Sequence, residues 1–130
     1  MPQDDPLLAA WEENYKKGLL TLWVLLVLHE RQAYPFEMAD IVGELSRGTI
    51  VADPNSLYRA LSRFERMGIV ASSLQESDTG PARRYYRLTA RGTELLRAFL
   101  ERNILLFQTP PIARRIKAVV AGDGSGKETR

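Results

Sequence analysis

The chain has 130 residues, 45% apolar and 26% charged, with a formal net charge of +2; this fits one ordinary globular domain with a helical extension. It has no Cys and a single His, which excludes a disulfide framework, a thiolate zinc site and a histidine-rich metal site. The polar, acidic start Met1-Pro2-Gln3-Asp4-Asp5 is unlike a secretory leader, and the longest apolar run, Leu19 to Leu28, is about half a bilayer crossing. The expectation is a cytoplasmic protein with no membrane span, no metal and no cofactor.

Charge is unevenly spread. Residues 1–45 carry three basic and eight acidic side chains, whereas residues 54–91 carry seven Arg, no Lys and three acids. From Pro110 onward there are five basic and two acidic residues. An acidic front and a basic back suit a polyanion partner.

In chain order, Asp5-Pro6 reads as an N-cap followed by Pro at the first helical position. Leu7/Leu8, Trp11 and Tyr15 then share a stripe at helical spacing. Gly18 is expected to interrupt, and Leu19 to Arg31 to form a second helical stretch, apolar nearly all round and so deeply buried. Tyr34-Pro35 breaks it. Phe36 to Leu45 reads as a short amphipathic helix with Phe36, Ala39, Ile41/Val42 and Leu45 inward, and Thr49-Ile50-Val51 as a brief extended strip. Asp53-Pro54 repeats the cap signal for a helix to Met67, with Leu57, Leu61 and Phe64 inward and Gly68 closing it. The period then changes to two. Ile69–Leu74 and Ala82–Leu88 read as strands of a hairpin with a long polar tip, Glu76 to Pro81. Thr89 caps a last helix through Leu95, Leu96, Phe99, Leu100 and Ile104 to about Phe107, stopped by Pro110-Pro111. A basic segment, Arg114 to Val120, and a Gly-rich end, Gly122 to Arg130, expected to be disordered, follow.

Three helices and a two-stranded wing give a mostly α fold with a small β-hairpin, the winged helix-turn-helix, extended by an N-terminal and a C-terminal helix. The expected divisions are 1–17 (N-terminal helix), 18–89 (DNA-binding domain), 90–109 (dimerisation helix) and 110–130 (basic, partly disordered tail).

The helix at Pro54 carries the chemistry. Its first turns offer Asn55, Ser56 and Arg59, with Tyr58 beside them and Arg63 one turn on. Asn and Arg read adenine and guanine edges bidentately in the major groove, and a helix N-terminus offers N–H groups to a phosphate. Arg83 and Arg84 in the hairpin suit phosphate or minor-groove contacts. An Arg-dotted helix or hairpin alone is commonly just a solvated face; their co-occurrence in this order points to double-stranded DNA. Other signals lack partners. Gly122 to Lys127 has the wrong spacing for a phosphate loop, and His29-Glu30 has no second His. Ser72-Ser73 has no base nearby, so no catalytic residues are assigned.

Asp53-Pro54-Asn55-Ser56-Leu57-Tyr58, with Gly68-Ile69-Val70, resembles the recognition helix of PadR-type transcriptional regulators, usually Ser-Pro-Gly-Thr-Leu-Tyr and then Gly-Leu-Ile. Gly80-Pro81-Ala82-Arg83-Arg84-Tyr85-Tyr86-Arg87-Leu88-Thr89 resembles that family's wing strand. Pro35-Phe36-Glu37-Met38 stands where Gly-Tyr-Glu-Ile is common, and Lys17-Gly18-Leu19-Leu20 resembles the start of the first core helix. The match spans about Lys17 to Leu96. Asn55 replaces the usual Gly, and Phe36 replaces the usual Tyr with its phosphate-contacting phenol. The resemblance implies a homodimer on a pseudo-palindromic operator, often a repressor. The expected dimer interface is Leu8, Trp11, Tyr15, Leu95, Leu96, Phe99, Leu100, Asn103 and Leu106. It further implies that members without a large effector domain sometimes bind flat aromatic or cationic compounds at the dimer centre. Trp11, Tyr15, Trp23 and Phe99 are candidates for lining such a pocket, although aromatics at this spacing are more commonly core or dimer contacts. The alternative is a winged-helix module for protein–protein interaction.

Overall fold

The computed structural model describes residues 5–122; the expected disordered end and the loop signal at Gly122–Lys127 fall almost wholly outside them. The chain divides between Leu96 and Arg97 into two units.

In the first unit, α1 (Pro6–Glu30) is one unbroken helix of 25 residues. Asp5 Oδ1 accepts the Leu7 N–H at 2.8 Å, capping it as expected. The expected break at Gly18 is absent. An isolated helical Gly costs only about 1 kcal/mol against Ala, and the turns on either side are rich in helix formers. From Leu22 to Leu28 burial covers more than half of the circumference, with Leu26 partly open, and it does not extend to the first half of the helix. Val24, Leu25, Val27 and Leu28 enter the core, while Leu7, Trp11 and Tyr15 in the first half lie exposed.

Pro35 forces the preceding residue out of helical conformation, so Gln32–Tyr34 is extended. There the Ala33 N–H donates to the Tyr86 carbonyl at 3.1 Å and the Tyr86 N–H to the Ala33 carbonyl at 2.9 Å. This bridge, rather than the expected strip at Thr49–Val51, supplies the extended chain beside the hairpin. In α2 (Pro35–Leu45) the core face is Met38 and Val42, both fully buried. The expected stripe through Phe36 is wrong. Phe36 lies nearly half a turn round the helix from Met38 and is exposed; Leu45, in the last turn, is also more than half exposed.

The α2–α3 connection is tightly braced. Arg47 N–H donates to Glu44 O at 3.1 Å and Gly48 N–H to Gly43 O at 2.8 Å, the paired bonds of a Schellman cap. Arg47 holds the left-handed position at φ 56°. The buried Ser46 Oγ accepts the Ile50 N–H at 3.0 Å. Then α3 (Pro54–Arg66) begins with Asp53 Oδ2 accepting the Ser56 N–H at 2.9 Å. It buries Leu57, Leu61 and Phe64 and ends in a second Schellman cap at Gly68, φ 82°. Its bonds are Gly68 N–H to Glu65 O at 3.0 Å and Ile69 N–H to Phe64 O at 3.1 Å.

The hairpin is longer than its apolar pattern predicts. β1 (Val70–Ser77) pairs antiparallel with β2 (Gly80–Leu88), from Val70 opposite Leu88 to Ser77 opposite Gly80. The six-residue polar tip shrinks to Asp78-Thr79, with an irregularity between Gln75 and Ser77. A two-stranded wing need bury little, so its outer strands are polar.

Thr89 caps α4 (Ala90–Asn103) as expected. Its Oγ1 accepts the Gly92 N–H at 3.0 Å and donates to Gly68 O at 2.7 Å. Gly92 is buried where a Cβ would stand 2.1 Å from the Ile69 carbonyl oxygen. Each buried Leu, Val, Met or Phe of this unit stabilises it by about 1.5–3 kcal/mol.

In the second unit, α4 ends at Asn103, short of the expected Phe107, and Leu105–Gln108 is a 3₁₀ turn. Pro110-Pro111 starts a helix rather than merely stopping one: α5 runs Pro110–Val120 with proline at its first positions. The order α1, α2, α3, β1, β2, α4 is that of the winged helix-turn-helix, mostly helical with one two-stranded hairpin.

Candidate nucleic-acid interface

The candidate residues of α3 share one face. At 100° per residue, Asn55, Ser56, Arg59 and Arg63 fall within about a 100° arc, opposite Leu57, Leu61 and Phe64. All four are exposed, and Tyr58 flanks them at the arc's edge, half in solvent. Arg66 occupies the same arc and is exposed; it was readable from the same spacing. Beside α3, Val51 is 90% exposed.

The N-terminus of α3 is less open than its sequence suggests. The cap carboxylate of Asp53 already takes the Ser56 N–H, and Ser56 Oγ donates to the same Oδ2 at 3.2 Å. Arg59 Nη2 in turn donates to Ser56 Oγ at 3.2 Å. An Asp53–Ser56–Arg59 relay therefore runs along the first turns. Further down, the Arg63 guanidinium lies 5.6 Å from the Phe64 ring centroid.

The two wing arginines do not share a face, because side chains alternate along a strand. Arg83 is half-buried over the Tyr34 ring, 4.6 Å from its centroid, and its Nη1 donates to Tyr34 Oη at 3.1 Å. Tyr85, on the same side, meets Tyr34 edge-on at 5.2 Å. Arg84 is exposed on the other side; its Nη1 donates to Ser72 Oγ at 3.1 Å, and Ser72 Oγ donates to Glu65 Oε2 at 2.9 Å. The wing is thus bound to the α1–α2 corner through Arg83 and to α3 through Ser72, to which Arg84 also donates. Tyr34, Tyr85, Ser72 and Glu65 carry these links, and no short-range pattern marks them. Tyr86, on the α3 side, is fully buried. Burial pushes its phenol pKa up, and the hydrogen bond with Ser62 works the other way.

The other expected residues divide between the units. In the first, Trp11 is 72% exposed, Tyr15 and Leu95 are exposed, Leu8 is half-buried and Leu96 is buried. Trp23 is half-buried with its indole N–H lacking a partner. In the second, Phe99, Asn103 and Leu106 are exposed and Leu100 is half-buried. A shallow hollow of about 230 Å³ lies among Ile69, Arg91, Glu94 and Leu95. Among the described residues, no cluster of three or more His, Asp or Glu could hold a metal ion, and no helix is long and apolar enough to cross a membrane.

A family model described as the transcriptional regulator PadR-like family matches residues 24–98. Among solved structures, the chain is similar to a PadR family transcriptional regulator from Eggerthella lenta: 25% identity and TM-score 0.61, covering 98% of this chain and 96% of that one. It is similar to a transcriptional regulator from Clostridium thermocellum at 24% identity and TM-score 0.63, covering 73% of this chain and 92% of that one. Bacillus subtilis PadR, crystallised in complex with operator DNA, aligns at 18% identity and TM-score 0.58 over 63% of this chain and 46% of its own. No curated protein sequence matches significantly.

Proposed function

The chain belongs to the PadR-like family of transcriptional regulators, a family of regulators rather than enzymes, and from that premise we propose that it is a dimeric repressor reading a pseudo-palindromic operator in the cytoplasm. The carrying observation is the face of α3, where Asn55, Ser56, Arg59 and Arg63 are exposed together opposite the buried Leu57, Leu61 and Phe64. In a major groove, Asn55 and Arg59 contact base edges, while Tyr58, Arg63 and Arg84 contact the backbone. The distant neighbour from Bacillus subtilis, solved in complex with operator DNA, supports DNA as the partner. Second copies cover the exposed stripe of α1 and the apolar residues of α4, and a flat aromatic or cationic effector bound near Trp11, Tyr15 and Trp23 releases the operator.

The test is a gel-shift titration on the protein's own upstream region against scrambled duplex at two salt concentrations. A tight, salt-sensitive preference for the upstream fragment is expected. Arg59→Ala or Asn55→Ala should each cost about 1–3 kcal/mol at one base position. Equal, weak binding of both fragments would overturn the operator reading and favour a protein-interaction module.

A further inference from the structure

Resting on the reading that the exposed face of α3 meets DNA, we propose that Asp53 is a specificity-determining residue. Its carboxylate lowers attraction to DNA of any sequence and, through Ser56, holds Arg59 ready to read a base.

The first half follows from charge. Residues 54–91 set seven Arg against Glu65, Glu76 and Asp78. Glu65 accepts from Ser72 and so belongs to the wing contact, and Asp78 lies in the wing turn beside Glu76. Asp53, one residue before this stretch, sits at the end of α3 that carries Asn55, Ser56 and Arg59, where none of the three does, and it is exposed. Non-specific DNA binding is essentially electrostatic, and a carboxylate within a Debye length of the phosphates opposes it. Capping does not require the charge, because Asn and Ser cap as well as Asp.

The second half follows from the relay. Asp53 Oδ2 takes both the Ser56 N–H and its hydroxyl, which turns the Ser56 oxygen lone pairs toward Arg59 Nη2 at 3.2 Å. Only one of the five guanidinium donors is used, leaving the others for a guanine edge. A side chain already held in place loses less freedom on binding.

The experiment compares wild type, Asp53→Asn, Asp53→Ser and Ser56→Ala by fluorescence anisotropy on random-sequence and upstream duplexes across a salt series, with thermal melts to verify folding. Both Asp53 variants should bind random duplex about threefold more tightly near 0.15 M salt, with the slope of log K against log salt steeper by about one. Their preference for the upstream duplex should narrow. Ser56→Ala keeps the charge and breaks the relay, so the upstream preference should fall, and by less when Arg59 is already Ala. Unchanged random-duplex affinity and slope in both folded Asp53 variants would overturn the charge role; an unchanged upstream preference in Ser56→Ala would overturn the relay. A wild type with no preference for the upstream duplex would sink the operator reading instead, and the random-duplex slopes would still decide the charge role.

Discussion

Arg47 closes α2 at φ 56°, in a region where a side chain costs roughly 1 kcal/mol that glycine does not incur. Its positive charge at a helix C-terminus offsets part of that cost. Gly92 is the opposite case, since a methyl group there would stand 2.1 Å from the Ile69 carbonyl oxygen and 2.7 Å from Leu88 Cδ1. Thermal melts should therefore move in opposite directions: Arg47→Gly up by about 0.5 kcal/mol, Gly92→Ala down by about 2 kcal/mol or more. Neither demand was visible from local spacing, although the caps around them were. Asp5, Asp53, Thr89 and Gly68 were legible because a cap is decided within four residues of chain. The close approach at Gly92 depends on Ile69, 23 positions away, and no local rule reaches that far.

Among the elements, the wing departs furthest from a simple arginine-bearing hairpin. Arg83 is stacked on and hydrogen-bonded to Tyr34, whereas Arg84 is exposed on the opposite side of the strand. The two should respond differently to alanine. Arg84→Ala should weaken binding to all sequences and lower the salt slope by about one, as loss of a phosphate contact does. Arg83→Ala should weaken binding with the slope nearly unchanged, because it loosens the wing at the α1–α2 corner. Equal slope losses in the two variants would show that Arg83 also reaches phosphate. The hairpin itself was legible from the change to period two after Gly68. Its length was not, because Gln75 to Pro81 are polar and period signals come from burial. For the same reason the face of α2 was misjudged: in 11 residues, Phe36 and Leu45 look like core on hydrophobicity alone, yet they end up in solvent. The candidate face of α3 was the most legible part, since its buried and exposed residues alternate with a clear helical period.

For the whole molecule, the bare stripe of Leu7, Trp11 and Tyr15 on α1 is the strongest argument for a second copy. Three large apolar side chains, each at least 60% exposed within a few turns of one helix, exceed the scattered exposure normal for a monomer surface. Sedimentation velocity at micromolar concentration should find a dimer, and Trp11→Glu should shift it toward monomer and weaken operator binding. A Trp11→Glu protein that stays dimeric would place the interface elsewhere. Such contacts were legible in sequence only as surplus apolar surface, because what covers a surface is encoded in its partner as well. A separate consequence follows from the basic side chains on α3 and the wing, every one of them a guanidinium. Lys occurs only at 16, 17, 117 and 127. Acetyl transfer requires a free amine, so enzymatic acetylation has no target on α3 or the wing and cannot neutralise them. Amine-reactive dyes and resins would likewise attach at α1, α5 or the chain ends, and the protein could be labelled or immobilised through its lysines with α3 and the wing left chemically untouched.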